Sequence, residues 1–158
     1  MPDTLINDTK DGECVIEMES KIWDLSATMQ AELVETSDAH GPVSIIHEDQ
    51  DFEIRARVAL KGRILHYLCG KLCVEVGFES CGAGFEGDYF QDVELVPCGD
   101  GVYNFRIRVA GGTLSAGHCG KAFTICLTLG SFDACGHPGF VFGRCHDLSV
   151  TIVPAVVH

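Results

Sequence analysis

The sequence predicts an all-β protein, an antiparallel sandwich or barrel of seven or more short strands. Two observations carry the prediction: apolar and polar residues alternate over run after run, and glycine- and proline-rich turn signals separate the runs. The clearest stretch is Phe52 to Ser80. Phe52, Ile54, Ala56, Val58 and Leu60 alternate with Glu53, Arg55, Arg57 and Ala59. Beyond a turn at Gly62, Leu72, Val74, Val76 and Phe78 alternate with Lys71, Cys73, Glu75, Gly77 and Glu79. Successive side chains of a strand point to opposite faces, so each run offers one face to a core and the other to water. The stretch reads as a central hairpin of a half-buried sheet.

The remaining elements follow in order. Residues 1–13 are polar and are expected to be a loose terminus. Residues 14–44 form an N-terminal strand segment. Cys14, Ile16, Met18 and Ile22 alternate with Glu17, Glu19 and Lys21, the phase flips near Asp24, and Leu25, Ala27, Met29, Ala31 and Leu33 alternate again. Leu25, Met29 and Leu33 also stand four apart, so helix competes with strand over residues 24–34. Strand is the better fit. Gly41-Pro42 belongs to a connection that carries a short edge strand at Val43–His47. Gly82 to Gly87 reads as a loop and Tyr89 to Val96 as a strand, closed by Pro97 and the turn Cys98-Gly99-Asp100-Gly101. Tyr103, Phe105, Ile107 and Val109 alternate with Asn104, Arg106 and Arg108. A glycine-rich corner, residues 111–120, leads to Phe123, Ile125, Leu127 and Leu129; a loop over 130–139 precedes a last strand ending at Leu148, Val150 and Ile152.

The order and spacing from Phe52 onward resemble an immunoglobulin-like or fibronectin type III-like sandwich. Gly112-Thr113-Leu114-Ser115-Ala116-Gly117 followed by Phe123-Thr124-Ile125 is similar to that family's corner between its fifth and sixth strands. The resemblance covers about residues 45–153 and assigns 45–158 to one sandwich domain, with 14–44 outside it. The second strand has no cysteine and the third has Leu72 in place of a core Trp, which departs from the antibody pattern.

Composition narrows the function. A length of 158 residues suits one domain, and 46% hydrophobic content supports a folded core. The formal charge of −12, from 23 acidic against 11 basic residues, disfavours nucleic acid and anionic membrane surfaces. No apolar run is long enough to cross a bilayer as a helix. The polar start has no secretory pattern, which favours cytoplasmic synthesis or non-classical release; the cysteine content favours an extracellular or cell-surface setting. The compartment stays open between these.

Nine cysteines are the unusual total, and an odd number leaves one without a partner in its own chain. The topology implied by the resemblance puts Cys73, Cys126 and Cys145 on three neighbouring strands, each in the polar phase, so that the three thiols share an outward face. It also puts Cys69, Cys98 and Cys135 at one end of the sandwich and Cys81 and Cys119 at the other. The expected bridges are Cys81 with Cys119, then Cys69 with Cys135 or Cys98. Cys14 is the candidate for a bond to another chain. Histidines near cysteines (His66-x2-Cys69-x3-Cys73, His118-Cys119, Cys135-x-His137, Cys145-His146) place soft ligands close in sequence, but no Cys-x2-Cys knuckle accompanies them, and no metal or other cofactor is assigned. Asp88, Asp92 and Glu94 lack the spacing of a calcium loop.

No Gly-x-Ser-x-Gly elbow, phosphate-binding loop, dinucleotide fingerprint or His-Glu-x-x-His occurs, so the sequence gives no catalytic residues. The expectation is a non-catalytic structural subunit that self-assembles into a filament, shell or surface layer. Disulfides within or between chains, and addition of the N-terminal strand to a neighbour's sheet edge, would hold it. Arg106 and Arg108 on the polar side of Val102–Arg108 are positioned to meet an acidic partner surface. The alternative is a monomeric module binding a protein or glycan through the loops around Cys69, Cys98 and Cys135. A Cys/His metal or redox sensor ranks third.

Overall fold

The computed structural model describes residues 13–20, 24–35, 45–80, 84–116 and 119–155. Among them nine strands run β1 (Glu13–Ser20), β2 (Leu25–Glu35), β3 (Ile45–His47), β4 (Phe52–Lys61), β5 (Lys71–Ser80), β6 (Gly84–Glu94), β7 (Val102–Val109), β8 (Lys121–Phe132) and β9 (Pro138–Val153). They form a four-stranded sheet, order β1-β2-β4-β7, and a five-stranded sheet, order β3-β9-β8-β5-β6. Every pairing is antiparallel except the short one of β3 with β9. The chain is an all-β sandwich.

The alternating pattern puts its apolar phase between the sheets. Leu25, Ala27, Met29, Ala31 and Leu33 are all buried, and so are the apolar residues of β4, β5, β7 and β8. Burial of the alanines settles residues 24–34 as strand: a helix would turn Ala27 and Ala31 away from the face that holds Leu25, Met29 and Leu33. Phe78 of β5 stands at the centre. It packs edge-on to Phe52 of the opposite sheet, ring centroids 6.1 Å apart, and to Tyr89 of its own sheet at 5.9 Å.

Three expectations about organisation are corrected. Phe52–Ser80 is not a hairpin. β4 pairs with β2 and β7 while β5 pairs with β6 and β8, and a 3₁₀ turn over Arg63–Tyr67 carries the chain from one sheet to the other. The turn begins at Gly62 (φ +126), where a Cβ would lie 1.7 Å from the Asp24 carbonyl oxygen, so only glycine fits. Residues 14–33 are not outside the sandwich. β2 is an inner strand bonded on both edges, and β1 is the edge strand beside it, so β2 is committed to its own sheet. The 82–87 loop is shorter than expected, because strand resumes at Gly84. Residues 1–12 of the expected loose terminus lie outside the described residues.

One sheet corner is closed by side chains. The Tyr103 hydroxyl accepts a hydrogen bond from the Val96 amide at 3.0 Å, and Gln91 Oε1 accepts one from the Arg106 amide at 2.8 Å. The second bond satisfies a donor on the open edge of β7, which otherwise invites pairing with another chain.

Replacing Phe78 with alanine removes the ring that touches both sheets. The expected cost is about 3–5 kcal/mol, read as a fall in the denaturant midpoint with little change in slope. A loss well under 1 kcal/mol, on the order of a surface substitution, would contradict the placement of Phe78 at the centre.

Candidate functional site

The outer face of the four-stranded sheet carries the residues of β2, β4 and β7 that alternate away from the core. Register brings them into rows: Glu32 beside Arg55 and Arg55 beside Arg106, then Gln30 beside Arg57 and Arg57 beside Asn104. These side chains, over the backbone of Ala31, Ala56 and Phe105, line an open groove of about 530 Å³. Arg55, Arg57, Arg106 and Arg108 are four of the 11 basic residues of a chain with net charge −12.

The arginines are held differently. Arg108 Nη2 lies 2.5 Å from Asp51 Oδ2, and Asp51 Oδ1 accepts the Gly111 amide at 2.8 Å. The Gly111 amide and then Arg108 hold the Asp51 carboxyl below the usual carboxylate range. Arg55 pairs with Glu53 two residues before it on the same face. Arg57 and Arg106 are exposed, and among the described residues no ion pair engages them. Arg55 and Arg106 are direct cross-strand partners, and like charges so placed weaken a sheet. Glu53 on the same strand and Glu32 across from Arg55 offset part of that repulsion.

The outer face of the five-stranded sheet holds two of the three cysteines expected there. Cys73 is half-buried; burial, then hydrogen bonding to Asp92, pushes its thiol up to about 12. Cys126 is buried, with its Sγ 3.1 Å from His146 Nδ1. Burial and then Glu79 push its thiol up as well. Glu75, Glu79, Thr128, Arg144 and His146 surround Cys126 in a hollow of about 210 Å³. Both groups are neutral thiols at physiological pH, the opposite of what a nucleophilic cysteine or a thiolate ligand needs.

Cys145 is the correction. It does not share the outward face but lies in the core at 4% exposure and is disulfide-bonded, its partner's side chain lying outside those described. The cause is a β-bulge. Leu148 pairs with Ile125, but the register then slips so that Cys145 pairs with Leu127, and one extra residue inverts the phase of everything before it in β9.

The loop cysteines are also corrected. Cys69, Cys98, Cys119 and Cys135 are exposed free thiols, so neither Cys69 with Cys135 or Cys98 nor Cys81 with Cys119 is bridged. Cys69 and Cys135 do lie on touching loops: a Cβ on Gly70 (φ +99) would meet the Phe132 carbonyl oxygen and the Asp133 backbone. Proximity of loops does not aim two Cβ vectors at each other, which a disulfide requires. Cys135 is further fixed by Asp133, whose Oδ1 accepts the Cys135 and His137 amides, both at 2.9 Å. The side chains of Cys14, His66, Cys81, Asp88 and His118 lie outside those described. Among the described residues no group of three or more His, Cys, Asp or Glu could hold a metal ion, and no helix is long and apolar enough to cross a membrane.

The chain matches no protein-family model and no curated protein.

Alkylation of the native protein checks the thiol assignments. Cys69, Cys98, Cys119 and Cys135 should label within the first phase, and Cys73 and Cys126 only on unfolding. Fast labelling of Cys126 would contradict its burial and raised pKa.

Proposed function

We propose that this chain is a non-catalytic, immunoglobulin-like or fibronectin type III-like subunit that associates with further copies of itself through the outer face of the four-stranded sheet. The observation that carries the reading is the pair Arg57 and Arg106, exposed on a strongly acidic chain and engaged by no ion pair among the described residues. Guanidinium groups favour carboxylate surfaces, and the commonest acidic surface available to a subunit at high local concentration is another copy. The immunoglobulin-like design is supported by the strand order, since β2-β4-β7 faces β9-β8-β5-β6 and short β3 runs parallel to the last strand.

A second reading, a monomeric module that binds a protein or glycan through its loops, is favoured by Tyr67 and Val96. They are 81% and 59% exposed near Cys69 and Cys98. Exposed aromatic and aliphatic side chains on loops are common anchors in recognition.

Sedimentation equilibrium separates the two. The subunit reading predicts association that weakens at high salt and is lost in the double variant Arg57→Glu, Arg106→Glu, while Tyr67→Ala leaves it intact. A monomer at every concentration and ionic strength would contradict it.

A further inference from the structure

We infer that Cys14 and Cys145 are joined by a disulfide that staples the edge strand β1 of one sheet to β9 of the other. The inference goes beyond the association proposed above and does not depend on it. Cys145 is disulfide-bonded in the core. Six of the nine cysteines, Cys69, Cys73, Cys98, Cys119, Cys126 and Cys135, are free thiols. The partner of Cys145 is therefore Cys14 or Cys81.

Register excludes Cys81. Its neighbour Ser80 ends β5 level with Phe123 of β8, whereas Cys145 is level with Leu127, four residues further along that strand. β5 and β9 also lie on opposite sides of β8. Four residues span about 13 Å along a strand and two strand spacings about 10 Å across, so Ser80 and Cys145 stand roughly 16 Å apart. One further step of about 3.8 Å along the chain leaves Cys81 at least ~12 Å away. A disulfide needs its Cα atoms at roughly 4.4–6.8 Å.

Register favours Cys14. Backbone pairing sets it opposite Ala31 of β2, and directly opposed residues of an antiparallel pair share a face. Ala31 belongs to the buried phase of β2, while Glu17 and Glu19 mark the other phase of β1 as the exposed one. Cys14 thus occupies a core-side position of β1. Outside its own sheet β1 packs against β9, with Cα atoms of the two strands within 8 Å of each other. Stacked sheets usually stand about 10 Å apart, so the sheets converge where the strands bearing Cys14 and Cys145 meet.

The bond forms when the two thiols lose two protons and two electrons to a small-molecule or protein disulfide, which is reduced to two thiols. β1 has a strand neighbour on one edge only, and the staple ties it to the second sheet as well. Cys14 is then engaged within its own chain, so copies of this chain meet without a covalent link through it.

The test takes the full chain, equilibrated with oxidised and reduced glutathione, unfolds it in N-ethylmaleimide without further reductant, and maps the digest by mass spectrometry. The expected product is one linked pair of peptides carrying Cys14 and Cys145. A Cys81–Cys145 link, an alkylated Cys145, or Cys14 bonded between chains would overturn the assignment. Stability gives a second reading. Reductant should lower the urea midpoint of the wild type and of Cys81→Ser by about 1–2 M and leave that of Cys14→Ser unmoved. A Cys14→Ser protein as sensitive to reductant as the wild type would also overturn it.

Discussion

The edge-to-face contact of Phe52 on Phe78 joins the two sheets, and most of the molecule is arranged by what it demands. With both rings fully between the layers, every strand must keep its apolar phase inward or leave a void beside an aromatic ring. β2, β4, β5, β7 and β8 keep an unbroken row of buried apolar residues in their inward phase. β9 complies only by inserting a bulge, which lets Cys145 and Leu148 both face the core although three residues separate them.

Because the core consumes one phase of each strand, the opposite phase is free for function. The two outer faces use it differently. On the five-stranded sheet the outward cysteines are sheltered by their neighbours and kept protonated by burial and nearby carboxylates, which makes them chemically quiet. On the four-stranded sheet the outward residues include the exposed Arg57 and Arg106 and the Arg55–Glu53 pair. Cross-strand repulsion between Arg55 and Arg106 is tolerated there.

Much of the fold was legible in the sequence because period-two alternation is local. Each of the runs at Phe52, Leu72, Tyr103 and Phe123 placed its buried residues correctly, and the flip near Asp24 is a true turn, with φ of 47° at that residue. What was not legible depends on partners far away in the chain. Nothing local in Phe52–Ser80 distinguishes a hairpin from two strands that part into different sheets. The bulge in β9 has no residue signature, so Cys145 took the phase of Asp147 and Ser149. The cysteine pairings failed for a related reason: Cys69 and Cys135 lie on touching loops, but bond geometry is decided at a finer scale. Of the arginine surface, Arg106 was visible as the polar phase of β7, whereas its neighbours Arg55 and Arg57 came into view only once β4 was seen to pair with β7.

The most direct test of the arginine face is its chemical accessibility as copies accumulate. Phenylglyoxal modification, followed residue by residue by mass spectrometry across a concentration series, reads this without altering the sequence. Arg57 and Arg106 should lose reactivity as protein concentration rises, while Arg63, whose side chain is 94% exposed beyond the sheet, should not. Unchanging reactivity of Arg57 and Arg106 relative to Arg63 would contradict the assignment of this face to contact between copies.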